Sequence, residues 1–307
     1  MPDPQSPAAT RSPSFTLPQA EQVVRKLMPA LQEHGKWVKR IHTILICRTD
    51  PAPEDLEEDA YLNSDLGRWF ADADNDYVRR HPGYETAFEG LRRQYGLAGK
   101  LCRAVRDEQP ISPEDYEAFA DSIHRFDDSM EALVRELWDL LLNTDPLTGI
   151  ATRLGLLPRL KEAHERTRKE GHACAVCMID LDHFKRINDT HGHRAGDQVL
   201  ASVSGFLQRN LRHNDHICRY GGEEFVLMLP GTDIEHALPL VDRLRHQLSR
   251  LPILLDDGTI LHVTASFGIA PLSSRYSVRK CIEYADRAMY EAKEAGRNQV
   301  CIFEEPT

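Results

Sequence analysis

The run Arg219-Tyr220-Gly221-Gly222-Glu223-Glu224-Phe225-Val226-Leu227-Met228-Leu229 constrains the chain more than any other stretch. Two adjacent glycines separate the apolar residues Ile217, Cys218 and Tyr220 from a second apolar run, Phe225 to Leu229. This is the composition of a two-residue β-hairpin whose turn needs positive φ, a region that glycine reaches without steric cost. Two carboxylates follow the turn. Strand side chains alternate, so Glu223 and Glu224 are expected on opposite faces and cannot act as one chelating pair. A carboxylate here needs a partner from another segment; without one, the stretch reads as a solvated hairpin tip.

The partner is the run Cys174-Ala175-Val176-Cys177-Met178-Ile179-Asp180-Leu181-Asp182-His183-Phe184-Lys185. Its apolar part predicts a strand buried on both faces. Asp180 and Asp182, two apart, are expected to share one face at the strand end, and a helix pattern follows. Acids beside the N–H groups that open a helix suit a magnesium nucleotide. Mg²⁺ takes one or two protein carboxylates and leaves its other positions to phosphate and water, while helix-start amides and Lys185 cradle phosphate oxygens.

Four ordered blocks carry a family resemblance: the hairpin, the Asp180-Leu181-Asp182-His183-Phe184-Lys185 strand end, the run Asn188 to Asp197, and the ending Ala285 to Asn298. Together they resemble the GGDEF family of diguanylate cyclases, over about residues 143–305. The opening Asp145-Pro146-Leu147-Thr148-Gly149 is similar to the family's first signature, with Thr152 where Asn is usual, which puts the capping of the next helix in doubt. The resemblance implies a ferredoxin-like palm and a reaction that joins two GTP molecules into cyclic di-GMP.

Composition sets bounds around that reading. A chain of 307 residues suggests about two domains, and 41% hydrophobic residues suffice for real cores. A net charge of -10 argues against a DNA or RNA surface, which needs clustered Lys and Arg. The seven cysteines are scattered among apolar neighbours, as in a reduced cytoplasmic protein, and Cys174 and Cys177 are expected on opposite strand faces. No apolar run approaches the ~20 residues of a bilayer span. Residues 1–17, rich in Pro and Ser, are expected to form a disordered tail.

Residues 18–142 read as an all-α four-helix bundle. Val24, Leu27, Met28, Leu31, Val38, Ile41 and Leu45 recur at helical spacing, with His34 on the same stripe. Shorter amphipathic stretches follow over about 56–70 and 84–105. Tyr116, Phe119, Ile123, Phe126, Met130, Leu133, Leu137 and Leu140 form an unbroken heptad pattern, which predicts a last helix pairing with its copy in a homodimer.

Residues 143–307 alternate differently and predict an α+β domain with a mainly antiparallel sheet. The expected order is a helix over 153–169, a strand over 173–179, a helix over 197–211, the hairpin, a helix over 233–251, a strand over 260–270, a helix over 277–294 and a strand over 299–303.

The family resemblance also implies roles. Asp180, the Leu181 carbonyl and Glu223 would ligate Mg²⁺ or Mn²⁺, Glu223 would be the base for the attacking hydroxyl, and Glu224 would serve a second metal. Asn188 and Asp197, with His193 in the same loop, would read guanine. Backbone N–H groups of His183 and Phe184, with Lys185, would meet phosphate. Lys293 and Arg297, taken at helical i, i+4 spacing, would grip the terminal phosphates. Arg212 and Asp215 match the family's inhibitory Arg-x-x-Asp site for the product, with Arg243 a further contact. The bland counterparts are an N-cap role for Asp197, helix-dipole charges for Lys293 and Arg297, and a surface ion pair for Arg212. The alternative function is a non-catalytic receptor for GTP or cyclic di-GMP that signals through a partner protein.

About residues 34–105, with His34-Gly35-Lys36-Trp37 and Leu66-Gly67-Arg68-Trp69-Phe70, look like the chemoreceptor zinc-binding bundle found before some GGDEF domains. His34 matches its first ligand, but Ser64 stands for the Cys, and Arg92 and Gly96 for the two remaining His. One His cannot hold zinc tightly, and Cys47, Cys102, His81 and His124 rebuild a site only in a different packing. The bundle is then expected to dimerise or to bind a regulatory protein.

Overall fold

The computed structural model describes residues 15–57, 59–72 and 78–304. The chain divides into two compact units, Met1–Leu141 and Leu142–Thr307. Most of the tail expected over residues 1–17 lies outside the described residues. Its end departs from expectation: Phe15 is buried in the helical core, and the Thr16 backbone N–H donates to Gln19 Oε1 at 2.8 Å to open the first helix.

Among its described residues the first unit holds three long helices, α1 (Leu17–Cys47), α3 (Tyr84–Arg106) and α4 (Pro113–Asn143), the last running past the unit boundary, and one short α-helix, α2 (Asp65–Ala71). One helix is expected over 56–70. Instead, 3-10 turns at Pro53–Leu56 and Ala60–Asn63 precede α2, whose start is fixed by the Ser64 hydroxyl accepting from the Gly67 N–H at 3.0 Å. The heptad stripe of α4 is consumed within the chain. Phe126, Met130, Leu133 and Leu137 are buried against α1 and α3 residues such as Leu27 and Leu91, and Phe119 packs with Ile41 and Leu101. A sequence pattern of period 3.5 does not say whether the complementary face is another chain or the same one, and here the same chain supplies it.

The second unit is a six-stranded sheet in the order β1-β3-β4-β2-β7-β8, formed by β1 (Ala151–Thr152), β2 (Cys174–Leu181), β3 (His216–Arg219), β4 (Glu224–Pro230), β7 (Ala265–Pro271) and β8 (Val300–Ile302). The three central pairings are antiparallel, and β1 and β8 join the edges in parallel. A small hairpin of β5 (Ile253–Leu254) and β6 (Ile260–Leu261) stands apart. Helices α6 (Phe184–His191), α7 (His193–Asn210) and α8 (Ile234–Leu248) contribute to the core on one sheet face, α5 (Arg153–Glu170) and α9 (Val278–Glu294) to that on the other. All eight β2 residues are buried, as its apolar run predicts. Cys174 and Cys177 belong to the cores on opposite faces.

Two boundaries differ from expectation. The strand expected over 260–270 is two strands in different sheets, because the chain turns between them to present Thr264 to Asp182: the Asp182 N–H donates to the Thr264 carbonyl at 2.9 Å. Helix α7 begins four residues before Asp197, at His193, with Gly192 (φ 83°) as its N-cap. Thr152, in place of the usual Asn, still caps α5, its hydroxyl accepting from the Gly155 N–H at 3.2 Å. Gly268 on β7 lets α9 lie directly on the sheet, since a Cβ there would overlap the backbone of Ala285 and Met289.

Candidate active site

Asp180 and Glu224 lie directly opposite each other on the paired strands β2 and β4. Both belong to the sheet face that α9 covers, and Lys293 in the last turn of α9 places its Nζ 2.8 Å from Asp180 Oδ2. Burial is the main influence on all three site carboxylates and pushes each above its ordinary range. Lys293 opposes this for Asp180, while Asp182 and Asp286 add to it. Glu223 is raised further by Asp180 and Glu224, and Glu224 by Asp180 and Asp286. Three acids thus share one region with one lysine.

The connection between the strands is not the two-residue turn of the sequence reading. β3 ends at Arg219 and β4 begins at Glu224, and neither glycine has positive φ. A Cβ at Gly221 would meet the Glu224 carboxylate, the movable end of a flexible side chain. Arg219 holds the turn, with Nε and Nη2 donating to the Gly222 carbonyl at 3.1 and 2.8 Å and Nη1 reaching Asp145 at 3.2 Å. Neither Arg219 nor Asp145 has a role that the sequence alone assigns. Their signal was a lone Arg at a strand end and a lone Asp in the opening motif, which only the fold joins.

Asp182 is also not what its spacing suggests. β2 ends at Leu181, and the Asp182 carboxylate accepts from Thr264 Oγ1 at 2.6 Å, Ser266 Oγ at 2.7 Å and the Asn298 N–H at 3.0 Å. It ties β2 to β7 and to the segment after α9. In that segment Gly296, Arg297 and Asn298 all have positive φ (116°, 66° and 44°), so Arg297 is outside the helix and the i, i+4 relation to Lys293 does not hold. Arg245 Nη1 donates to Asn298 Oδ1 at 3.1 Å and braces the segment from α8.

On the other side of β2, His183 (φ 58°) precedes α6, Phe184 is buried at its first position and Lys185 is exposed. Asn188 is half-buried on α6, its carbonyl accepting from the Gly192 N–H at 2.9 Å. His193 and Asp197 are exposed on α7, and Asp197, in the second turn, is not an N-cap. Arg212 and Asp215 lie in the turn between α7 and β3. There the Asp215 carboxylate accepts from the Arg212 backbone N–H at 2.9 Å, so it orders the turn rather than pairing with the guanidinium. Arg243 is exposed on α8.

The donor set fits a hard divalent cation. Carboxylate oxygens held close enough to raise one another's pKa are an unbalanced negative charge, which such an ion relieves. Among the described residues no three His, Cys, Asp or Glu side chains already converge on a metal position. Mg²⁺ requires only one or two protein carboxylates.

The family model for "Diguanylate cyclase, GGDEF domain" matches residues 142–299. Diguanylate cyclase DgcP of Pseudomonas aeruginosa is 42% identical over 212 residues, 69% of this chain and 30% of DgcP. That alignment is longer than the second unit, so it reaches into the helical one. The response regulator PleD of Caulobacter vibrioides is 38% identical over 159 residues, 51% of this chain and 35% of PleD. The chain thus spans about a third of the length of these curated relatives. Among solved structures, the GGDEF domain of DgcB from Caulobacter crescentus in complex with c-di-GMP is 31% identical with a TM-score of 0.51, covering 53% of this chain and 96% of that one. Diguanylate cyclase SiaD in complex with its activator SiaC, from Pseudomonas aeruginosa, is 30% identical with a TM-score of 0.51, covering 77% of this chain and 97% of that one.

Proposed function

The chain belongs to the GGDEF family of diguanylate cyclases, and from that premise we propose that it condenses two GTP molecules into cyclic di-GMP and two pyrophosphates. The observation that carries this reading is the carboxylate cluster of Asp180, Glu223 and Glu224 facing Lys293. In the reaction each 3′-hydroxyl attacks the α-phosphorus of the other nucleotide, and pyrophosphate leaves.

Asp180, the Leu181 carbonyl and Glu223 would hold Mg²⁺ or Mn²⁺, with Glu224 available to a second ion. The ion supplies positive charge at the phosphoryl oxygens, where phosphoryl transfer gains most. Glu223 takes the hydroxyl proton. Lys293 and Arg297 bring cationic charge to the terminal phosphates, with Lys185 and the N–H groups of His183 and Phe184 at the start of α6. Asn188 and Asp197, with His193, read guanine, Asp197 by accepting from its N–H groups. Each palm holds one GTP, so two palms must face each other and the working unit is a homodimer.

Product feedback is assigned to Arg212 and Asp215, with Arg243. A guanidinium takes phosphate or a guanine edge bidentately. The helical unit is read as regulatory. Support comes from the likeness to SiaD, solved with an activator protein, which covers more of this chain than the palm alone. The unit is also read as a relative of the zinc-binding bundle that does not hold zinc. The Ser64 hydroxyl is spent on the Tyr61 carbonyl and the Gly67 N–H, and Arg92 is exposed. Stoichiometric zinc in the purified protein, lost in His34→Ala, would contradict this. The seven cysteines carry no disulfide, in keeping with a cytoplasmic location. No helix among the described residues is long and apolar enough to cross a membrane.

Incubation with GTP and Mg²⁺ followed by product mass tests the reading. Cyclic di-GMP is expected. Bound GTP with no product would favour the non-catalytic receptor.

A further inference from the structure

Helix α9 ends at Glu294, and Gly296, Arg297 and Asn298 after it all have positive φ. Glycine takes that conformation freely and asparagine tolerates it, but for arginine it is disfavoured, so the surroundings must impose it. Each residue from Arg297 to Gln299 is fastened by its backbone. The Arg297 N–H donates to the Ala292 carbonyl of α9 at 3.0 Å, and the Asn298 N–H donates to Asp182 Oδ2 at 3.0 Å. The Gln299 carbonyl accepts from the Phe267 N–H of β7 at 3.0 Å.

The remaining hold comes from α8. Arg245, whose side chain is 18% exposed, donates from Nη1 to both the carbonyl and Oδ1 of Asn298 at 3.1 Å. Its Nε donates to Asp242 Oδ1 at 2.7 Å, three residues back on the same helix, which fixes the plane of the guanidinium. The N–H, the carbonyl and the side-chain oxygen of Asn298 are thus all engaged.

This clasp mounts Arg297. That residue is exposed, and among the described residues its guanidinium takes part in no hydrogen bond or ion pair. Lys293, the other cation at this end of α9, is already committed to Asp180. A backbone ordered before the ligand arrives, carrying an unspent guanidinium, loses little freedom when an anion binds. Freed from Asn298, the same guanidinium would sample many directions and its contribution to phosphate binding would fall.

Given the assignment of Arg297 to the terminal phosphates, we propose that Arg245 is a positioning residue for substrate selection. By clasping Asn298 it aims Arg297, and so sets the preference of the palm for guanosine triphosphate over diphosphate.

Isothermal titration of the full chain with Mg²⁺ and 3′-deoxy-GTP, 3′-deoxy-GDP or 3′-deoxy-GMP reads this preference, since these nucleotides lack the attacking hydroxyl and bind without turnover. The parent chain is expected to prefer triphosphate over diphosphate by at least about tenfold, and Arg297→Ala to lose most of that preference. Arg245→Met keeps the apolar stem and removes the donors; it should cut the preference at least about threefold and leave monophosphate affinity unchanged. Arg245→Lys, which can still donate to Asn298, should recover part of it. Asn298→Gly keeps positive φ accessible and removes one of the two acceptors, so it should narrow the preference without any change in α8. Equal weakening of all three nucleotides in Arg245→Met would make the clasp purely structural and overturn the proposal. So would an unchanged preference in both Arg245→Met and Asn298→Gly while Arg297→Ala loses it. A full preference retained in Arg297→Ala would instead remove Arg297 from the terminal phosphates, and the role of Arg245 with it.

Discussion

Lys293 and Asp180 form an ion pair across two elements, with Nζ in the last turn of α9 lying 2.8 Å from Oδ2 near the end of β2. The lysine thus occupies the carboxylate assigned to the metal, and two roles that look alike in sequence become separable. Lys293→Met should remove a competitor from Asp180 and tighten Mn²⁺ binding in the absence of nucleotide, while raising the KM for GTP. Each change is expected to be about tenfold. Titration calorimetry with Mn²⁺ and steady-state kinetics check the split; a variant in which both affinities weaken together would place Lys293 elsewhere.

The acid side of the pH profile follows from the same cluster. Metal binding requires ionised carboxylates, and Asp180, Glu223 and Glu224 all titrate above their ordinary values. Mn²⁺ affinity of the nucleotide-free chain, read by titration calorimetry, should therefore fall as pH drops through a range above that of an exposed carboxylate, and an affinity unchanged across it would contradict this. Stability runs the other way. Raised carboxylate pKa values mean that the folded chain binds more protons than the unfolded one in that window, so the contribution is present below it and is lost as pH rises. Glu223→Gln should accordingly raise the metal-free melting temperature at neutral pH. Differential scanning calorimetry at neutral pH checks this, and a lower melting temperature would contradict it.

Asp182 is expected to matter for stability and for substrate, because its carboxylate joins β7 to the segment bearing Arg297. Asp182→Ala leaves three donors unpaired at a buried position and should cost about 3 kcal/mol in the palm's urea unfolding transition. Asp182→Asn keeps the size and should retain the fold, with a raised KM for GTP and a smaller change in kcat. A changed unfolding midpoint with unaltered KM would make its role purely structural.

Arg212→Ala should raise the product inhibition constant by at least about tenfold and leave turnover at low product near that of the parent chain. Progress curves with added cyclic di-GMP measure both, and an unchanged inhibition constant would remove the site.

Much of this was legible in the sequence where one physical cause dominates. The run from Cys174 to Ile179 reads as a doubly buried strand because apolar residues on both faces leave no other solution, and β2 is buried throughout. Legibility failed where the deciding partner is distant in sequence. The heptad stripe of α4 looked like a seam between chains, yet Leu133 and Leu137 are covered by the chain's own helices. Asp182 reads by spacing as a companion of Asp180, but Thr264, Ser266 and Asn298 claim its oxygens. Arg297 continued the helical count by spacing, but α9 stops at Glu294 and three residues of positive φ turn the chain away. The two glycines suggest a positive-φ turn, whereas neither adopts positive φ.

The most direct measurement follows the purified chain and its Glu223→Gln variant with GTP and Mg²⁺, reading nucleotide products by mass and pyrophosphate release together. The parent chain is predicted to form cyclic di-GMP with two pyrophosphates per product, and the variant, still folded, to lose at least about a thousandfold in rate. A parent chain that binds GTP and forms no product, or a variant that forms cyclic di-GMP at near the parent rate, would contradict the assignment of catalysis to this carboxylate cluster.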